Sequence, residues 1–193
     1  MHKSFFISTI TTLFLTAATN AHANPCDNYK YNSSPLPHLQ AGSIQNDELD
    51  QYLNDSQYSH GIKFEIEPSE DELRVDIVSY PPEAQLAAGL FMLLQIGRLA
   101  EEDFKRLVLI ENGEEIFSFD GSAVRKNGCQ ALWGTSAAGS PMMLLVDVMA
   151  YAKDTEDNPL IPRYTGNWLT DMTVALEAFN TKIAPLWIFS AAE

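Results

Sequence analysis

The chain has 193 residues, 12 of them basic and 26 acidic, and carries a formal charge of −14 at pH 7. Such a field repels nucleic acid and anionic lipid and favours cations or a basic protein surface, and it also keeps a protein in solution. Two cysteines and four histidines leave little material for a zinc centre or thiol chemistry.

Residues 1–23 open with a basic Lys3, pass through the apolar stretch FFISTITTLFLTAA and close on Ala21-His22-Ala23, the small-x-small pattern that a signal peptidase accepts. They read as a cleaved secretory signal. The apolar stretch is too short and too rich in threonine for the roughly 20 apolar residues of a spanning helix, so no membrane insertion is expected. Loss of Lys3 takes the charge of residues 24–193 from −14 to −15. Export implies the periplasm in a Gram-negative bacterium and secretion otherwise. A bacterial source fits best, because Asn32-Ser33-Ser34 and Asn54-Asp55-Ser56 would be glycosylated in a eukaryotic secreted protein.

Cys26 follows Ala23-Asn24-Pro25, which lacks the residues a lipoprotein signal places before its cysteine. An oxidising compartment tends to join a lone pair of cysteines, so a disulfide between Cys26 and Cys129 is expected. Residues 24–60 read as an extended, proline-containing arm with a short helix over Asp47 to Leu53, and residues 61–193 as one domain.

Within that domain IKFEIE alternates, with Ile62, Phe64 and Ile66 apolar, and LRVDIV repeats the pattern with Leu73, Val75 and Ile77. Period-two alternation around the acidic loop PSEDE predicts a β-hairpin. The Ala- and Leu-rich run from Pro82 to Glu102 predicts a core helix, its stripe formed by Leu86, Leu90, Leu93, Leu94 and Gly97. Asn112-Gly113 then predicts a two-residue turn. That turn sets a second hairpin in which Val108 faces Phe117 and Arg106 faces Phe119, with Ile110 on the same apolar face.

Ser140-Pro141 predicts the start of a helix running to Lys153, and DTEDN breaks it. A last helix is expected from Asn167 to Lys182, ended by Pro185, with LWIF as a buried tail or short strand. The whole reads as α+β: an antiparallel sheet of two hairpins packed against three helices, in the order ββαββαα.

The catalytic inventory is thin. GTSAAGS approaches a nucleophile elbow, but Ala138 stands where the second glycine belongs and no histidine follows Ser136. His38 and His60 read as surface or turn residues. DTEDN gathers carboxylates but lacks EF-hand spacing, and a solvated turn is the simpler reading. Asp147 shares a helical stripe with Met143, Tyr151 and Asp154, which reads as a water-facing edge, against the alternative of a buried general acid.

No cofactor is implied. What stands out is acidity in two loops: Glu70, Asp71 and Glu72 at the tip of the first hairpin, and Asp154, Glu156 and Asp157 after the helix that runs to Lys153. The expectation is a non-catalytic exported protein that engages a basic protein partner through these loops, as an inhibitor or immunity protein would against a toxin or envelope hydrolase. The competing expectation is a small hydrolase-like envelope enzyme whose site carries no familiar motif.

Overall fold

The computed structural model describes residue 26 and residues 41–56, 59–130 and 141–192. The expected signal segment, most of the expected arm, His38, Ser136 and Ser140 lie outside the described residues.

One five-stranded sheet organises the molecule, in the order β1-β2-β3-β4-β5. Its strands are β1 (Lys63–Pro68), β2 (Glu72–Ser79), β3 (Arg106–Glu111), β4 (Glu114–Asp120) and β5 (Ala152–Asp154). Both predicted hairpins form. The sheet is not wholly antiparallel, however: β2 and β3 run parallel, with Leu73 beside Leu107 and Val75 beside Leu109. Helix α2 (Leu86–Leu99) carries the chain back to the end where β2 began, and a crossover of that kind makes the next strand parallel. The fifth strand was expected as the end of a helix. Ala152 instead pairs with Phe119, and its carbonyl accepts the amide of Leu160, so the chain turns back along β4.

The Asn112-Gly113 turn is as predicted, both residues taking positive φ (52° and 82°) and Glu111 facing Glu114. The register beyond it differs. An irregularity between Leu109 and Ile110 slips the pairing by one, so Leu109 faces Phe117 and Arg106 faces Asp120. Leu107 and Leu109, rather than Val108 and Ile110, therefore share the core with Phe117 and Phe119. Val108 and Ile110 are also buried, on the opposite face of the sheet.

The core face brings Phe64, Ile66, Val75 and Ile77 against the helices, with Leu93, Ile96 and Trp187 fully enclosed. A short helix, α1 (Leu49–Asp55), lies two residues beyond the one expected over Asp47 to Leu53. It covers the open edge of β1: the Asn54 amide donates to the Phe64 carbonyl and accepts the Phe64 amide, both at 2.8 Å. An exposed strand edge is thereby occupied by a side chain that mimics a neighbouring strand.

α2 begins four residues later than predicted, because Pro81 to Ala84 form a turn closed by Ala84 N–H to Pro81 O, and Gln85 is extended. Helix α3 (Gly121–Gln130) was not anticipated. It lies so close to α2 that a Cβ on Gly97 would sit 2.5 Å from the Val124 carbonyl oxygen, and one on Gly128 would sit 2.4 Å from that of Leu94. Two glycines that weaken the helix by propensity are what permit its packing.

Helix α4 (Pro141–Met149) ends before Tyr151. Helix α5 (Trp168–Ala178) is capped by Asn167, whose side chain accepts the amides of Leu169 and Thr170. Pro185 does not stop the helical path. One wide π turn, Phe179–Ile183, leads into α6 (Ala184–Trp187), where Pro185 occupies the first turn. LWIF is thus helical and not a strand, and the Trp187 indole donates to the Val75 carbonyl. Among the described residues no helix is long and apolar enough to cross a membrane.

Candidate functional site

The first acidic loop is built by the hairpin itself. Ser69 N–H donates to the Glu72 carbonyl at 2.8 Å, and the Asp71 carbonyl accepts the amides of Lys105 and Arg106. Because β2 and β3 are parallel, the start of β3 falls beside the start of β2, and its two bases meet the acidic tip. Lys105 pairs with Asp71 at 2.8 Å; Arg106 pairs with Glu72 at 2.6 Å and, on its other nitrogen, with Glu115. Glu70 has no ion pair among the described residues and is exposed.

The second loop closes on Asp154. Its carboxylate accepts the amides of Glu156 (3.0 Å) and Asn158 (2.9 Å) and the Asn158 side chain, and these hydrogen bonds, that from Asn158 foremost, hold it below the usual carboxylate range. Asp157 takes a left-handed backbone (φ 65°) and pairs with Lys153 at 2.7 Å. The Glu156 carboxylate accepts the Asn158 side-chain amide at 3.3 Å and has no ion pair among the described residues. The six predicted partner-binding residues therefore divide by task. Asp154 builds its loop, Asp71, Glu72 and Asp157 are paired yet reachable, and Glu70 and Glu156 project outward.

A cleft of about 220 Å³ is lined by Lys105 and Arg106, the bases paired with the first loop, and by Lys153 and Asp157 of the second, together with Ser118, Asp120 and Tyr151; of the six acids, Asp157 is the one among its described lining residues. Asp71 and Asp157 keep 51% and 78% of their side-chain surface exposed. Ion pairs this exposed contribute about 0–1 kcal/mol each and exchange readily for another cation.

The acidity continues over the same sheet face. Glu65 lies directly across from Asp76, and the Asp76 carboxyl is pushed above the usual range by its partial burial first and by Glu65, Glu111 and Glu67 next, against the opposing effect of a hydrogen bond from the Ile77 amide.

The other candidates resolve individually. Asp147 is half-exposed, in line with exposed Met143 and Tyr151 on the water-facing edge expected for it, and it accepts Lys126 Nζ at 3.2 Å and Asn127 Nδ2 at 2.9 Å, and so clips α4 to α3. His60 sits in a turn, as expected, at the rim of a separate cleft. Among the described residues no three His, Cys, Asp or Glu side chains converge to hold a metal. Cys26 and Cys129 are joined, with Cα atoms 5.3 Å apart.

The sequence reading found the acids but missed their counter-ions. The bases stand 34 residues from Asp71 and Glu72, and only the parallel strand pairing connects them. Compared with protein-family models, curated proteins and solved structures, the chain shows no match to any of them.

Proposed function

We propose that the chain is a non-catalytic exported protein, periplasmic in a Gram-negative source, that docks onto a basic protein partner through Glu70, Asp71, Glu72, Glu156 and Asp157, with Asp154 holding the second loop in shape. Within this reading it acts as an inhibitor or immunity protein against a toxin or envelope hydrolase. One observation carries the reading: the bases paired with the first acidic loop line the same cleft as the Lys153–Asp157 pair of the second, and the Lys105–Asp71 and Lys153–Asp157 pairs are exposed and weak enough to be traded for a partner's cations. The formal charge of −14 supports it by steering a basic protein from a distance.

The test is affinity capture from envelope extract on immobilised residues 24–193, eluted with salt. Retention of one stoichiometric basic protein, lost on a Glu70→Lys/Glu156→Lys surface, supports the reading. Turnover in a substrate screen without any such partner counts against it.

A further inference from the structure

A second and larger cleft, about 440 Å³, opens between the turn at His60-Gly61 and the start of α2, lined by His60, Glu83, Ala84, Gln85, Ala88 and Phe91. It lies at the opposite end of β2 from the Glu70–Glu72 tip, since β2 runs from Glu72 to Ser79 and the cleft begins just past Tyr80. Its volume falls in the range of ligand-binding clefts.

The walls are held from both sides. His60 and Gly61 take left-handed backbone in succession (φ 55° and 80°), and a side chain at Gly61 would press on Pro81 at 3.1 Å. For a non-glycine residue that backbone costs of order 1 kcal/mol or more and persists only where the surroundings impose it. On the other wall the Tyr80 hydroxyl donates to the Gln85 carbonyl at 2.6 Å. Ala88 and Phe91, three residues apart, share one face of α2, and Ala84 lines the cleft from the turn before it. The two alanines leave width and the half-buried phenyl ring supplies an aromatic wall.

Glu83 sits exposed at the mouth, with no hydrogen bond or ion pair among the described residues. The cleft thus combines an uncompensated carboxylate, an imidazole and a short apolar strip.

We propose that this cleft binds an alkylammonium or guanidinium group carried on an apolar stem, the cation against Glu83 and the stem along Ala84, Ala88 and Phe91. An anion is disfavoured by Glu83 and by the field of the whole chain, which concentrates cations in clefts. A wholly apolar ligand would desolvate Glu83 without replacing its water. A cation on a stem gains from the carboxylate, from the phenyl face and from burial of its methylenes together. The same chemistry is offered by a free amine and by the lysine or arginine side chain of a protein. The inference does not rest on the acidic-loop reading.

The test is an amide and methyl NMR titration of residues 24–193 with n-butylammonium, with the peptide acetyl-Ala-Lys-Ala-amide and with its uncharged norleucine counterpart. Saturable shifts at His60, Ala84, Ala88 and Phe91 are expected from a cationic probe and not from norleucine. Response to butylammonium alone marks a free amine as the ligand, and response to the lysine peptide marks a protein side chain.

Glu83→Gln, an exposed and isosteric change, should weaken binding by roughly tenfold, the scale of one charge-assisted hydrogen bond. Glu70→Gln makes the same charge change at the far end of β2 and should alter it less than about twofold, the scale expected of screened charges beyond a Debye length. Glu70→Lys should likewise spare it, which separates this site from the acidic loops. Absence of saturable shifts at millimolar probe, equal response to norleucine, or equal losses in Glu83→Gln and Glu70→Gln would each overturn the proposal.

Discussion

Gln95, on α2, is 2% exposed, and neither its amide oxygen nor its nitrogen finds a hydrogen-bond partner among the described residues. A buried amide in that condition is costly, and an apolar side chain of similar size removes the cost. Gln95→Leu should therefore raise stability by about 1–3 kcal/mol, read from the urea midpoint; a loss of stability would show that the amide has a partner in solution. Asp171 is the opposite case. Burial raises its pKa, but hydrogen bonds from Thr165 N–H, Thr165 Oγ1 and Gly166 N–H outweigh that and leave it below the usual carboxylate range. A depressed folded-state pKa contributes stability above the unfolded value, and loses it as pH falls through the folded one. Asp171→Asn should thus destabilise the chain at neutral pH, with the gap to the wild type closing as pH falls below the ordinary aspartate range; thermal unfolding across pH checks this. At this scale the sequence was informative about types and silent about partners. Nothing in TGNWLTD says that Asp171 holds the loop before its own helix.

The elements show where legibility stopped and why. Strong period-two alternation made β1 and β2 readable, and Asn112-Gly113 fixed the second turn, because each signal is carried within a few residues. The slip at Leu109 and Ile110, the parallel pairing of β2 with β3 and the existence of α3 depend on contacts between distant segments. GSAVRKNGCQ has too little periodicity and too many helix-weakening residues to read as a helix, yet α2 requires those small residues where the backbones meet. Gly128→Ala should accordingly cost about 1–3 kcal/mol, or more where the backbones cannot separate. Gly113→Ala places a Cβ in open space and should cost only the left-handed backbone penalty, about 1 kcal/mol. Equal destabilisation of the two variants by chemical denaturation would contradict the close α2–α3 packing. The acidic site inherits the same limit. Its acids were legible as composition, whereas Lys105 and Arg106 came to them only through the unpredicted parallel strands.

For the whole molecule, two long-range forces matter: one covalent, one electrostatic. The disulfide spans 103 residues and places Cys26, Ala41 and Cys129 in a small cluster of their own, apart from the main core. Cys26 and Ala41 thus meet beside the end of α3. The disulfide was legible because two cysteines admit one pairing. In a chain-entropy description, closing a loop this long constrains the unfolded state by up to about 4.7 kcal/mol, and removal of a native disulfide costs about 2–5 kcal/mol. Reduction, or a Cys26→Ser/Cys129→Ser double variant, should lower stability by that amount while leaving the sheet's circular dichroism intact at low temperature. Unchanged stability would mean that the arm and core are independent.

The charge distribution bears on the central claim, that the acidic loops serve a basic partner. The direct measurement is surface-plasmon kinetics of the captured partner on residues 24–193, at low and high salt, for wild type and for Glu70→Lys/Glu156→Lys. Neither acid pairs with a base among the described residues, so reversing them leaves Lys105–Asp71, Arg106–Glu72 and Lys153–Asp157 in place. Exposed charges act chiefly on encounter, so salt and charge reversal should each slow association, with little change in dissociation or in the thermal midpoint. An association rate indifferent to both would contradict the account and leave the acidity to solubility alone.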